Sequence, residues 1–387
     1  MVPAFDFQLR TRIVWHSPVA ESLPRAVAAL GAGRVLVVTD PGLVATGLPD
    51  TITDALAGTG VSVEVHPEVG PDPSIRDVAA ARSAAVEVAA DVIIGFGGGS
   101  VIDTAKAAAM LIANGGEYTD YKWGGRPIVH RSHPLVAVPT TAGTGSEVSR
   151  VAVISDPDQA FKKGVLSPEM FAHTALLDPM LTVDLPAPLT AATGVDAFVH
   201  ALEAFTGRRT NPISDALALE AMRLVVEHLR RATADGRDPR ARSGMMLAAA
   251  RGGMAMDQAG LGLVHALSGG LCSHTHLHHG LANAMLLPGV VAFNADAIEP
   301  ARRRRLHEVL GLAPDSTAGE LVEMITNLVR ALDLPVGLGE LRPHLGDADR
   351  QRVVEESMRM VMVGNNPRAV SAQECRTLLD EMCDRGP

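Results

Sequence analysis

The 387-residue chain reads as an α/β N-terminal domain built on a parallel, Rossmann-like sheet, followed by an all-α C-terminal domain. Three observations predict this. Short β-branched runs alternate with Ala-rich helical stretches through the first half, the pattern of a sheet covered by helices on both faces. The alternation stops near 184–190, where DLPAPLT brings two prolines. After it come only amphipathic Ala/Leu/Met-rich segments separated by Gly, Asn and Pro signals. The expected boundary lies between 1–184 and 185–387.

The strands are expected in RVLVVTD (34–40), VSVEVHP (61–67), DVIIGFGGG (91–99), PLVAVPTTAG (134–143) and TALLDP (174–179). These short, β-branched runs read as buried strands. Between them SLPRAVAALG, DTITDALAG, IRDVAAARSAAVEVAA and VIDTAKAAAMLIAN have helical periodicity. In the second half, NPISDALALEAMRLVVEHLRRA (211–232) is the clearest helix. A ligand of such a sheet is expected at the carboxyl ends of its strands, where a second domain would form a cleft.

Composition narrows the classes. Only 3% of residues are aromatic, so the core is built from Ala, Val, Leu, Ile and Met. A net charge of −10 argues against a general nucleic-acid binder, which needs a basic face. The one dense basic run, Arg302–Arg305, lies in a helical pattern beside Glu308 and reads as a solvated helix face. Cys272, Cys375 and Cys383 form no CxxC pair, which fits reduced thiols and a cytoplasmic setting. The N-terminus lacks the pattern of a signal peptide, and no apolar run approaches the roughly 18 residues of a membrane span.

GFGGGSVIDTAK (95–106) follows a strand and opens a helix. Gly97, Gly98 and Gly99 remove Cβ atoms where backbone N–H groups leave a helix N-terminus, which favours an anion such as a diphosphate. Ser100 is the expected N-cap, with Asp103 completing a capping box. The loop departs from the G-x-G-x-x-G fingerprint at Ser100. No acid ends a strand about 20 residues later, but Asp40 closes an earlier strand. Its carboxylate suits the ribose hydroxyls of NAD(H) and repels a 2′-phosphate; an ordinary capping Asp before Pro41-Gly42 is the plainer reading. A second small-residue loop, PTTAGTGSEVSR (139–150), offers Thr140, Thr141, Thr144 and Ser146. Two such loops at one sheet edge point to a dinucleotide.

In ATGVDAFVHALEAF (192–205), Asp196 and His200 are spaced i, i+4 and share one helix face. A buried acid and imidazole on an apolar face need a partner, either each other or an ion. Five histidines crowd 265–279. His265 and His279 lie among apolar residues, whereas His274 and His276 occupy a polar connection and read as solvated or lining a pocket mouth. His278 competes with His279 on spacing alone. One carboxylate and three imidazoles make a divalent-metal site.

These motifs, in order and spacing, resemble the iron-containing, group III alcohol dehydrogenases. The resemblance rests on GGGSVIDTAK, PTTAGTGSEVS, ATGVDAFVHALEAF and GLGLVHALSGG…HHGLANAMLLP, and runs essentially end to end. It implies a dinucleotide-binding first domain and a metal-binding helical second one. It further implies the ligands Asp196, His200, His265 and His279, with His279 rather than His278 matching the family's HG. Fe²⁺ is the implied metal, with Zn²⁺ or another divalent ion in some members; NAD(H) is the implied cofactor, and a homodimer or larger homo-oligomer the implied assembly. Asp40 matches the position tied to NAD preference. Many members carry a further histidine where this chain has Gly269.

The expected chemistry is hydride transfer between NAD(H) and a metal-bound carbonyl. Gly269 is expected to widen the space beside the metal. Arg150, Lys162 and His274 are expected as substrate contacts, suiting a small phosphonylated or carboxylated aldehyde such as phosphonoacetaldehyde. The alternative is a neutral alcohol or diol of the lactaldehyde or propanediol type, with Arg150 pairing Glu147 or Asp156. A lyase of the dehydroquinate synthase type would need a dense Lys/Arg cluster that the chain does not offer. A non-catalytic nucleotide-binding regulator would not need a four-ligand set.

Overall fold

Eight strands and fourteen α-helices form among the described residues. They are β1 (Arg12–Trp15), α1 (Val19–Ala29), β2 (Arg34–Val38), α2 (Pro41–Thr46), α3 (Asp50–Leu56), β3 (Ser62–His66), α4 (Ile75–Glu87), β4 (Val92–Gly97), α5 (Gly99–Asn114), β5 (Leu135–Pro139), β6 (Val151–Asp156), β7 (Phe161–Leu166) and β8 (Thr174–Leu177). Helices follow alone: α6 (Ala187–Thr206), α7 (Pro212–Ala234), α8 (Pro239–Ala259), α9 (Leu263–Thr275), α10 (His279–Asn294), α11 (Pro300–Val309), α12 (Ala318–Arg330), α13 (Asp347–Met358) and α14 (Ala372–Asp384). The computed structural model describes residues 4–122, 124–156, 161–275 and 277–384, with residues 161–163 as backbone only.

The chain divides into two units. One is Gln8–Asp184; the other is Leu185–Pro387 with the segment that ends at Phe7. In the first, a six-stranded parallel sheet runs in the order β1-β8-β5-β4-β2-β3. The period of two in each strand splits its apolar residues between two cores. Val35, Val37, Ile94, Phe96 and Val138 pack with α1 and α3, while Leu36, Val38, Ile93 and Ala137 pack with α4 and α5. The sheet is thus doubly wound, as the alternation predicted. Its strand order reverses between β2 and β4: β2 leads outward to β3, β4 leads the other way to β5. The crevice beyond the carboxyl ends of β2 and β4 is where such sheets hold ligands.

Two features lie outside the expected strand list. The edge strand β1 is only four residues long, with Arg12 and Trp15 exposed. The antiparallel hairpin β6–β7 packs Ala152, Ile154 and Val165 against Val78, Ala107 and Met110.

In the helical unit α6 packs against α7, α8 and α10, and α9 against α10 and α13. α10 approaches α6 closely: a Cβ on Gly280 would lie 2.4 Å from the Ala192 carbonyl oxygen. The basic run is not wholly solvated. Arg302 grips Asp215 with Nη1 and Nη2 at 2.8 and 2.7 Å, donates from Nε to the Phe205 carbonyl, and lies 4.2 Å from the Phe205 ring centroid. It thereby ties down the last turn of α6, while Arg304 and Arg305 stay exposed. No helix among the described residues is long and apolar enough to cross a membrane.

Candidate metal centre and cofactor loops

In the sheet unit, Gly97 pairs with Pro139 and the Thr140 amide donates to the Gly97 carbonyl at 3.0 Å. This places the two small-residue loops side by side. The glycines make that approach possible: a Cβ on Gly99 would lie 2.6 Å from Thr144 Cγ2, and one on Gly98 3.4 Å from Thr141 Cγ2. Gly98, rather than Ser100, is the N-cap of α5, and it brings no side-chain cap. The first-turn amides of a 16-residue helix therefore face outward beside glycine, as a diphosphate requires.

Ser100 instead donates to the Pro71 carbonyl at 2.8 Å. Asp103 forms no capping box. It accepts from Ser146 Oγ and from the Val153 amide at 2.8 Å, and pairs with Lys106 Nζ at 3.1 Å. Asp103 and Ser146 thus hold one another, which leaves less of either for a cofactor. Lys106, missed in the sequence although it closes the GGGSVIDTAK motif, is fully buried. It donates to the carbonyls of Ser146 at 2.9 Å, Ser149 at 3.4 Å and Val151, and so pins the second loop onto α5. Glu147 is buried beside it. Burial raises its carboxyl to about 7, against the opposing pull of its own amide and of Lys106. Across the crevice Asp40 is half-buried and caps α2, with Oδ1 accepting from the Leu43 amide at 2.9 Å.

In the helical unit α6 projects Asp196, His200 and Glu203 at i, i+4 and i+7, one face of the helix. α9 contributes His265 and Ser268, and α10 contributes His279 and Asn283. Ligand atoms of Asp196, His265 and His279 lie within 4.8 Å of one another. Asp196 Oδ1 is the hub, at 3.5 Å from His265 Nε2 and 3.6 Å from both His200 Nε2 and His279 Nε2. His200 stacks on His265 with ring centroids 4.7 Å apart. All are buried except His279, which is half-buried.

Two outer partners were not anticipated. Glu203 accepts from the Val264 amide at 2.7 Å and meets His265 Nδ1 at 2.7 Å. Ser268 Oγ meets His279 Nδ1 at 3.1 Å. Both leave Nε2 turned toward Asp196, the orientation a metal ligand needs. Burial alone would raise the Asp196 carboxyl. The charge of His200, a hydrogen bond from His265 and the charges of His279 and His265 instead hold it well below the usual range. Burial likewise opposes charge on His265, but Glu203 and Asp196 lift it to about 9. The cluster strongly favours positive charge at its centre, and its one-carboxylate, three-imidazole chemistry fits a divalent ion.

The expected substrate residues fare differently. His274 is not solvated: it lies in the last turn of α9 with Nε2 3.1 Å from Glu356 Oε1 of α13. Gly269 does not widen a pocket. Met360 fills the space, and a Cβ at Gly269 would lie 2.5 Å from its Cε. Arg150 is half-buried just before β6. Asp156 pairs with Lys122 at 2.8 Å. The Lys162 and Lys163 side chains and His276 lie outside the described residues. His278 is exposed at the N-cap of α10.

An anion cradle at a sheet switch point and a buried acid–imidazole cluster are the equipment of a metal-dependent, dinucleotide-linked oxidoreductase. Comparison with known proteins makes the class specific. The family model for iron-containing alcohol dehydrogenase matches residues 10–179, and that for the C-terminal domain of the Fe-containing alcohol dehydrogenase family matches 190–383. The chain belongs to this family and is an NAD-linked oxidoreductase using a divalent metal. It is 36% identical to the sulfoacetaldehyde reductase of Bilophila wadsworthia, covering 97% of this chain and 98% of that one. It is 38% identical to the 4-hydroxybutyrate dehydrogenase of Cupriavidus necator, over 91% and 93%. Among solved structures, 1,3-propanediol oxidoreductase superposes with a TM-score of 0.92 at 30% identity, over 98% of this chain and all of that one. The NAD⁺ complex of the sulfoacetaldehyde reductase from Bifidobacterium kashiwanohense superposes with a TM-score of 0.91 at 26% identity, over 99% and 100%.

Proposed function

We propose that the chain interconverts a small anionic aldehyde and its alcohol with NAD(H), and that Asp196, His200, His265 and His279 hold the ion. The observation that carries the metal assignment is the convergence of Asp196, His265 and His279 on one buried point. When bound, the ion supplies Lewis-acid polarisation of a carbonyl and the dinucleotide supplies or accepts the hydride. The chain's own residues do the rest. Glu203 and Ser268 fix the rings of His265 and His279. The open first turn of α5, with Gly97, Gly98 and Gly99, receives the diphosphate, and Lys106 holds the loop carrying Thr140, Thr141, Thr144 and Ser146 in place. The Asp40 carboxylate selects NAD(H) by accepting from ribose hydroxyls.

The anionic substrate is supported by two relatives whose names carry a sulfonate or a carboxylate on the same short carbon chain as the reacting carbon. Arg150 is the candidate partner for that charge, through a bidentate contact. The neutral reading has its own support in 1,3-propanediol oxidoreductase and in the NAD-dependent methanol dehydrogenase of Bacillus methanolicus, 34% identical. Three buried cysteines that form no disulfide with one another suit a reducing, cytoplasmic setting. A homodimer or larger assembly completes the reading and is checked by light scattering.

The deciding experiment is NADH oxidation with neutral, carboxylated, sulfonated and phosphonylated aldehydes of similar size, for wild type and Arg150→Met. The reading requires wild type to favour an anionic aldehyde. It also requires Arg150→Met to lose about 1.5–3 kcal/mol of kcat/KM for that substrate alone. A neutral favourite replaces the anionic reading; an equal, small loss on both classes removes Arg150 from the substrate site.

A further inference from the structure

The buried centre of the helical unit contains one side chain that neither the family motifs nor the ligand set explains. Asn283 lies one turn after His279 on α10 and is fully buried. Its Nδ2 is 2.7 Å from Asp196 Oδ1, 3.2 Å from His279 Nε2 and 3.3 Å from His265 Nε2. An amide nitrogen donates and cannot accept, so it faces the same three atoms that a cation would. Its other end gains nothing by this orientation: Asn283 Oδ1 is buried without a hydrogen-bond partner among the described residues. A buried, unsatisfied carbonyl is costly, so the contacts at Nδ2 must outweigh it.

In the deprotonated form that takes up an ion, Asp196 Oδ1 and the two Nε2 atoms are three acceptors pointed at one place, and they repel each other. Either a cation or N–H donors can offset that. Glu203 and Ser268 hold the outer nitrogens of the two imidazoles and turn the inner lone pairs toward the centre, which adds to the problem. We propose that Asn283 is a positioning residue that gathers Asp196, His265 and His279 before an ion is taken up, its two N–H groups doing for the bare cluster what the cation does for the loaded one. Preorganisation of this kind keeps the ligand geometry without a protein cation, such as a lysine, that would compete with the metal. The inference rests on the ligand assignment above but adds a role for a residue outside that set.

The test compares melting temperatures of chelator-treated and Zn²⁺-loaded protein, for wild type, Asn283→Leu and Asn283→Asp. Leu removes both donors at similar volume. Asp keeps the shape but replaces the donors with a second carboxylate. The expected result is that Asn283→Leu melts about 4–8 °C lower than wild type after chelation and much closer to it when loaded. The Zn²⁺-induced shift therefore widens, and Asn283→Asp widens it further because two carboxylates then need the ion. An equal drop in both states would make Asn283 a packing residue and overturn the proposal. A larger drop in the loaded state would mean that the amide oxygen binds the ion, which also overturns it. If Asn283→Leu does not fold, Asn283→Asp decides: chelator-treated melting equal to wild type sinks the idea. Wild type tests the foundation separately, since no Zn²⁺-induced shift in it would remove the ligand assignment and the proposal together.

Discussion

The two functional regions of this chain are built from different materials. The cofactor loops are made of backbone: uncapped amides of α5, glycines that let two loops touch, and a lysine that holds carbonyls. The metal cluster is made of side chains, all presented at i, i+3, i+4 or i+7 spacing by three helices. The difference teaches where sequence is a good guide. A helix turns spacing into a shared face, so Asp196 with His200 is readable from the sequence. A loop has no such rule, and its polar side chains are as apt to hold the loop as to hold a ligand. Ser100 and Asp103 do the former.

If the cofactor loops are held by Lys106, removing its charge is the largest blow that leaves the metal cluster intact. Lys106→Met strands Asp103 and three carbonyls in a buried site, at a cost of about 3–5 kcal/mol. Urea unfolding should show that loss. NADH affinity should fall with it, while Zn²⁺ content stays at the wild-type level. Loss of Zn²⁺ as well would erase the distinction between the two regions.

Glu147 sharpens the same point through pH. Its carboxyl is raised from 4.5 to about 7, so the folded chain binds that proton more tightly than the unfolded chain. The resulting stability is fully present below pH 4.5 and is lost as pH rises through about 7. Glu147→Gln removes this slope and should gain up to about 3 kcal/mol on wild type between pH 5 and 7.5. Parallel pH-stability curves for the two proteins would show that Glu147 is not buried as described.

Asp40 is the smallest of the three effects and the most specific. Its Oδ1 caps α2, so Asp40→Ser keeps a capping oxygen while removing the charge. The preference for NADH over NADPH should narrow by roughly tenfold or more, about 1.4 kcal/mol, with stability little changed. An unchanged preference in steady-state kinetics leaves Asp40 as a cap and nothing else.

Most of the fold was legible because its signals are long-range repeats. Four of the expected strands of the central sheet are largely apolar runs, the edge strand SVEVH alternates in step with its pleat, and the helical half has no alternating segment to mislead. What escaped was short or locally ambiguous. RIVW is a four-residue edge strand with charged and aromatic ends exposed. The hairpin of VAVISD and FKKGVL places Ala152, Ile154 and Val165 against α4 and α5, which no local pattern announces. Of the proposed metal cluster, the sequence pointed to the acid and imidazoles that the structure brings together, but not to Glu203, Ser268 or Asn283. Each of these three looks like an ordinary helical polar residue until another helix is packed beside it. Gly269 shows the converse error: a missing side chain was read as open space, but a distant residue, Met360, occupies it.

The account's central claim is that the buried acid–imidazole cluster of the helical unit holds the ion and that the neighbouring histidine in the same crowded stretch does not. Metal analysis of purified His279→Ala and His274→Ala, beside wild type loaded with Fe²⁺ or Zn²⁺, tests it most directly. His279→Ala loses a group 3.6 Å from Asp196 Oδ1, whereas His274 is engaged with Glu356. The expected result is a stoichiometric ion in wild type and His274→Ala, and its loss from His279→Ala together with activity. A stoichiometric ion retained by His279→Ala, or lost from His274→Ala, would contradict the assignment.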